Sequence, residues 1–255
     1  MLVGGGVVSL VGAGGKTGLM FRMASELTAM GESVLTTATT KIYVPEEGQA
    51  PCLILSDSFD AVFCQARNFL EKHLHITAAS GWLPNHRKIV GFQPEIIDRL
   101  WQAGLFRWII VEADGAAGRA LKVPADHEPV LPACTKWVIG LAGLKAVGKP
   151  LNEKWVFRPE LFAKRTALSP GQAVTADAIA VALAHPDGIM KGAPASALRL
   201  AFLNQADLPG ALRAGQRIAA LLARRGVPVL NRVVIGQILF EPPVLECTDM
   251  NGGYT

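Results

Sequence analysis

The sequence predicts an α/β fold: a mainly parallel sheet with helices on both faces. Three observations carry that prediction. Short apolar runs alternate with amphipathic stretches along the first half of the chain, the pattern of successive β-α units feeding a buried parallel sheet. A glycine-rich turn sits between the first such run and the first helix. The composition fits as well: of 255 residues half are hydrophobic, 18% are charged, and 26 glycines and 16 prolines are spread along the chain.

The elements follow in order. Val7 to Val11 reads as a buried strand and Gly12 to Gly15 as a loop. Lys16 to Met30 reads as a helix with Leu19, Met20, Met23, Leu27 and Met30 among its apolar positions. Gly31 stands where a left-handed helix cap is expected. Strand Ser33 to Thr37 follows after a short turn, so the handedness rule gives a right-handed parallel pair. Strand Cys52 to Leu55, helix Phe59 to Lys72, strand His75 to Ala79, helix Pro94 to Ala103, and strands Trp108 to Glu112 and Lys136 to Leu141 continue the alternation. Beyond these the chain is more helical: helices at Glu160 to Ala167, Thr175 to Ala184 and Gly210 to Arg224, with strands at Leu198 to Leu203 and Val227 to Val234. No repeat or long linker interrupts it, so residues 1–255 read as a single domain with a helical insertion around 145–195.

Several classes of function are disfavoured. The longest apolar runs, Trp108 to Val111 and Trp137 to Leu141, are too short to span a bilayer, and no membrane partner is expected. The start, MLVGGGVVSLVGAGG, has no basic residue ahead of its apolar part, unlike a secretory signal. Cys52, Cys64, Cys134 and Cys247 are scattered without metal-ligand spacing, as in a cytoplasmic protein with reduced thiols, and none sits where a low-pKa nucleophile is expected. The net charge of +4 is mild and not gathered into one block, which suits a small phosphate-bearing ligand rather than nucleic acid.

The stretch SLVGAGGKT carries the strongest functional signal. Backbone amides of a glycine-rich turn after a buried strand, together with the next helix N-terminus, form a nest for phosphates. Gly12, Ala13, Gly14 and Gly15 would supply the nest, Lys16 would reach the β and γ phosphates, and the Thr17 hydroxyl would ligate Mg²⁺. Leu10 stands where the usual pattern has its first glycine, but Gly15-Lys16-Thr17 is intact. Thr36-Thr37-Ala38-Thr39-Thr40-Lys41 closes the second strand at the edge where open α/β sheets bind ligands, with Thr40 and Lys41 the best candidates to approach the γ-phosphate or the metal. The apolar strand ending Glu112-Ala113-Asp114-Gly115 resembles a Walker-B element; the two carboxylates, two apart, would share a side of the strand. Asp114 is the preferred metal partner, and Glu112 a second ligand or the residue orienting an attacking water. Arg119 and Lys122 are candidates to face phosphate or a second substrate, and His127 and Glu128 for acid/base work. Finally Asn204-Gln205-Ala206-Asp207 follows an apolar strand as N-K-x-D follows one in guanine readers, with Asp207 in the discriminating position, Asn204 beside it and Gln205 replacing the lysine; the competing reading makes Asp207 a helix N-cap. GTP or ATP with Mg²⁺ is the expected ligand, on a three-layer P-loop NTPase-like architecture.

VGAGGKT, TTATTKI, VEADGAAGRALKVPADHEPVLP and FLNQAD, in this order, resemble the YqeC family, accessory proteins linked to selenium-dependent molybdenum hydroxylases and known as selenium cofactor biosynthesis proteins. The resemblance runs from about Val7 to Val234, and its most specific part is the VEADGAAGR to HEP block. It implies a P-loop NTPase-like fold and a role in maturing a selenium-containing molybdenum cofactor, with a molybdenum hydroxylase or its cofactor as partner. Two readings remain open: a nucleotide-hydrolysing accessory protein or small-molecule kinase, and a non-hydrolysing carrier for the molybdopterin dinucleotide. No residue announces a homodimer, although related folds complete their sites across one.

Overall fold

A computed structural model describes residues 3–226 and 230–250. Fourteen strands and six α-helices lie in these residues, together with two short 3₁₀ turns. Nine strands form one large sheet, in the order β14-β13-β12-β10-β1-β8-β2-β5-β4. Its members are β1 (Gly6–Gly12), β2 (Val34–Ala38), β4 (Leu53–Leu55), β5 (His75–Ala79), β8 (Trp108–Glu112), β10 (Thr135–Gly143), β12 (Leu198–Asn204), β13 (Arg232–Gly236) and β14 (Val244–Asp249). Strands β1, β8, β2, β5 and β4 are mutually parallel, as are β12 and β13; β14 is antiparallel on the edge. The α/β architecture read from the apolar runs is the one observed.

The chain is made of two compact units. The first comprises the described residues up to Leu10, with Thr17–Gly115 and Val130–Trp137; the second comprises Val11–Lys16, Ala116–Pro129 and the described residues from Val138 onward. In the first unit, β1 is buried throughout and β8 runs between β1 and β2, with Glu112 opposite both Leu10 and Ala38. The parallel register therefore brings the carboxyl ends of β8 and β2 to one edge. Helices α2 (Phe59–Leu70) and α3 (Pro94–Gln102) pack Val62, Ala66, Ile97 and Leu100 on Leu35, Ile54, Ile76 and Ile109 of the sheet. Both helices are amphipathic, and burial of one apolar stripe holds them where propensity alone would not. Helix α1 (Lys16–Ala29) ends in a Schellman cap: Gly31 lies at φ +83, its amide donates to Thr28 O, and the Glu32 amide donates to Leu27 O.

A small sheet grows from the same edge. Strands β3 (Lys41–Tyr43), β7 (Lys88–Val90) and β6 (Gly81–Leu83) pair antiparallel in that order, entered from the ends of β2 and β5. The sequence reading missed them because three-residue strands are too short to show an alternation. In the second unit, β10 is followed by a 3₁₀ turn at Leu144–Ala146, by β11 (Val156–Phe157), which pairs with β9 (Leu121–Lys122), and by α4 (Pro159–Thr166) and α5 (Ala176–Ala184). Thr175 caps α5 through its hydroxyl and the Ala178 amide. Helix α6 (Ala211–Arg224) packs on α5. Of the expected strand Val227 to Val234, the part at 227–229 lies outside the described residues and β13 begins only at Arg232. The antiparallel β14 was not foreseen either. Among the described residues no helix is long and apolar enough to cross a membrane.

One buried titratable group ties stability to pH. His75 is 6% exposed, its Nε2 shares a 2.9 Å hydrogen bond with Thr36 Oγ1, and Phe21 lies against its ring. Burial lowers its pKa from 6.5 to about 4. Between those values the unfolded chain binds the proton and the folded chain does not, so this contribution to stability is complete above pH 6.5 and is lost as the pH falls toward 4. The full shift corresponds to about 3 kcal/mol. Urea unfolding midpoints measured from pH 7 to pH 4.5 are expected to fall, and His75→Gln to flatten that slope; equal slopes in both proteins would refute the assignment.

Candidate functional site

The glycine loop is short. Strand β1 ends at Gly12 and α1 begins at Lys16, leaving Ala13, Gly14 and Gly15 to turn the chain. Gly12, Gly14 and Gly15 have φ of +85, +100 and +123, conformations closed to residues with a Cβ at ordinary cost. Within the second unit the turn is also pressed against backbone. A Cβ on Gly12 would stand 2.4 Å from Leu141 O, and one on Gly14 would stand 2.4 Å from Gly143 N. The Ala13 amide donates to Leu141 O, and Asn204 Nδ2, at the end of β12, donates to Gly14 O at 2.7 Å. Lys16 is 4% exposed and its Nζ donates to Gly12 O at 2.6 Å, so the ammonium is folded over its own loop.

In the first unit, Thr17, the next residue of α1, donates its hydroxyl to Glu112 Oε2 at 2.8 Å. Glu112 is the last residue of β8 and is 7% exposed. Asp114 is fully buried, but β8 ends at Glu112, so strand alternation does not put the two carboxylates on one side. The hydroxyl-rich end of β2 divides by role. Thr36 Oγ1 meets His75 and Thr77, Thr37 donates to Ala78 O, and Thr39 donates to Val130 O. Thr40 differs: its Oγ1 is buried and has no hydrogen-bond partner among the described residues. Lys41, beside it, is exposed. The bend is held by Gly91, whose amide donates to Thr40 O, and a Cβ there would stand 2.1 Å from Ala38 O.

The base-reading tetrad also divides. Asn204 is 2% exposed and both ends of its amide are spent inside the protein, on Gly14 O and on the Ile238 amide. Asp207 is exposed, in the turn before α6 (Ala211–Arg224). That helix starts from Gly210, so Asp207 does not cap it. Gln205 sits at φ +71 with its Oε1 buried and without a hydrogen-bond partner among the described residues, packed on Gly143.

The VEADGAAGR to HEP block continues into the second unit as a network. Lys122 is fully buried and its Nζ lies 2.8 Å from Glu128 Oε2, which Arg158 Nη1 also reaches at 2.7 Å. Burial alone would raise the Glu128 pKa, but the Lys122 hydrogen bond and charge, the Ala125 amide and Arg158 outweigh it and hold the carboxyl below its usual value. Lys122 and Glu128 are therefore an internal ion pair, and Arg119 is bound to the Glu153 and Ala117 carbonyls. Arg158, which sequence reading did not single out, belongs to this network; at φ +55 ahead of a proline it carried no signal in the sequence. All four cysteines are free; burial raises the Cys52 thiol, and burial together with Asp98 raises that of Cys134. Among the described residues no three His, Cys, Asp or Glu side chains converge as a metal site by themselves.

The YqeC protein family matches residues 8–160 of the chain. The uncharacterized protein YqeC of Escherichia coli (strain K12) is 34% identical over 204 residues, covering 78% of this chain and 75% of that protein. The chain belongs to the YqeC family. No solved structure matches it.

The tight approach of the loop makes a direct prediction. Gly14→Ala places its Cβ on the Gly143 backbone and is expected to cost at least about 2 kcal/mol. Gly31→Ala, also at positive φ but with nothing within 4 Å, should cost only about 1 kcal/mol. Denaturant unfolding of the two variants checks this, and equal losses would mean that Gly14 is needed for its φ alone.

Proposed function

We propose that this YqeC-family chain binds a nucleoside triphosphate with Mg²⁺ on the loop from Gly12 to Thr17 and hydrolyses it. The observation that carries this reading is the 2.8 Å hydrogen bond from Thr17 Oγ1 to Glu112 Oε2. It joins the hydroxyl that follows Gly-Lys to a carboxylate at the end of the neighbouring parallel strand, the two donor types that share a magnesium ion in phosphate-binding loops. Thr17 and Glu112 supply hard oxygen donors, and Mg²⁺ habitually completes its shell with phosphate oxygens and water, so a site without a protein cage fits this ion. The ion would neutralise charge developing on the phosphates. Lys16, now on Gly12 O, would exchange that acceptor for a phosphate oxygen. The orphaned Thr40 hydroxyl, at the edge where the parallel strands end, has a donor to offer the same ligand. We assign Asp114 a supporting role in orienting the metal shell.

Asn204 supports the loop and does not read the base, since its amide is engaged on both sides. Base preference therefore falls to Asp207 and its neighbours, and GTP and ATP are both candidates. The place of the activity, in maturing a selenium-dependent molybdenum hydroxylase or its cofactor, rests on the family resemblance of the VEADGAAGR to HEP block.

Calorimetric titration with non-hydrolysable GTP and ATP analogues is expected to show binding of one of them that weakens at least tenfold without Mg²⁺ and in Lys16→Ala. Thr17→Ala and Glu112→Gln should lose the Mg²⁺ dependence more than the residual affinity. Binding that is indifferent to both Mg²⁺ and Glu112→Gln would overturn the metal assignment, and no binding of either analogue would overturn the nucleotide reading. Asp114→Asn with unchanged binding and turnover would remove Asp114 from the site.

A further inference from the structure

A cavity of about 580 Å³ opens in the second unit, between the turn that follows β10 and the turn that leads into α6. Leu144, Lys145, Val147 and Lys149 form one wall, Leu208, Pro209 and Gly210 the other, and Trp155 contributes a ring. Three features define its chemistry. The volume is that of a small-molecule site, within the usual 300–1,000 Å³. Its charged lining consists of Lys145 and Lys149, with no carboxylate among the lining residues. Neither lysine enters an ion pair among the described residues. Two lysines and no carboxylate in the lining make the wall of the hollow cationic, which favours an anionic ligand.

The aromatic wall adds shape. Trp155 is half-buried, and the ammonium of Lys149 lies 5.4 Å from its ring centroid. Its backbone is fixed, because Trp155 O accepts from the Ala120 and Leu121 amides. The opposite wall is fixed as well, by packing of the 3₁₀ turn Leu144–Ala146 on α6. An indole flanked by the ammonium groups of Lys149 and Lys154, at 5.4 and 5.3 Å from its centroid, favours a flat ring that carries negative charge. A purine alone would leave both lysines uncompensated.

We propose that this cavity binds a second small molecule, a planar aromatic anion bearing a phosphate or carboxylate, held separately from the nucleotide on the Gly12 to Thr17 loop. The ring stacks on Trp155 between Leu144 and Pro209, and its anionic group bridges Lys145 and Lys149. The inference stands whether or not the nucleotide reading holds, since it uses no side chain of the phosphate loop or of the metal site; Leu208 and Pro209 directly follow Asp207, so competition by nucleotides is part of the test.

Pyridoxal 5′-phosphate is a suitable probe, since it is flat, anionic and carries an aldehyde. A lysine amine condenses with that aldehyde to an imine and water, and borohydride reduces the imine to a stable secondary amine that peptide mapping locates. The expected result is saturable quenching of tryptophan fluorescence with the label on Lys145 or Lys149. Half-saturation should rise at least tenfold with unphosphorylated pyridoxal and in the Lys145→Gln/Lys149→Gln protein. Lys149 is exposed and Lys145 half-buried, and a thermal melt of the double variant confirms its fold. Mg-ATP and Mg-GTP should leave the labelling unchanged. Label confined to other lysines, or affinity unchanged in the double variant, would overturn the site. Displacement by AMP or GMP would overturn the separate ligand and make the cavity the base end of the nucleotide site. A failure of nucleotide binding to the loop leaves each of these readouts intact, so the two readings fail independently.

Discussion

The close approach of the Gly12 to Gly15 turn to neighbouring backbone is the constraint on which the packing around the ends of β10 and β12 depends. Gly12 lies against Leu141 O and Gly14 against Gly143 N, at distances no Cβ tolerates. That approach lets the Ala13 amide reach Leu141 O and lets the Asn204 side chain close on Gly14 O. It also explains why the position before the loop need not be glycine. Leu10 is still inside β1, fully buried and paired opposite Glu112, where a large apolar side chain stabilises the sheet. The turn takes its freedom from the three glycines that follow.

Hydroxyl groups at the end of β2 show how similar residues acquire different work. Four threonines stand in a five-residue run, and three are consumed by internal hydrogen bonds to His75, Thr77, Ala78 and Val130. A buried hydroxyl without a partner costs roughly 1–3 kcal/mol, so natural proteins rarely keep one without a use. Thr40 is the exception in this run, and the Gly91 amide on Thr40 O holds the bend that carries it. Position at the sheet edge, which singles out Thr40 and Lys41 already in the sequence, and an unsatisfied donor point the same way.

Much of the fold was legible because buried parallel strands leave continuous apolar runs. His75–Ala79 and Trp108–Glu112 were read to the residue, and most helices to within two residues. What was not legible lacked either length or local signal. The strands at 41–43, 81–83 and 88–90 are too short, and β14 is an edge strand only partly buried, so neither shows a buried face in its pattern. At the site, the loop, Thr17 and Glu112 were visible because chemistry and spacing coincide there. Arg158 and Gly143 were not, since each acts through a tertiary contact made by residues distant in sequence, and Gln205 was read as the replacement of a base-packing lysine rather than as the buried neighbour of Gly143.

The same distinction governs the cations. A surface lysine costs nothing to leave in water, but a buried ammonium must be compensated by hydrogen bonds or charge. Lys122 meets that demand inside the protein, on Glu128, and is therefore structural. Lys16, also buried, donates to its own loop carbonyl at Gly12. Two lysines in one chain, each nearly invisible to solvent, are thus both held by groups of the protein itself, Lys122 in the network with Glu128 and Arg158 and Lys16 against the turn it closes.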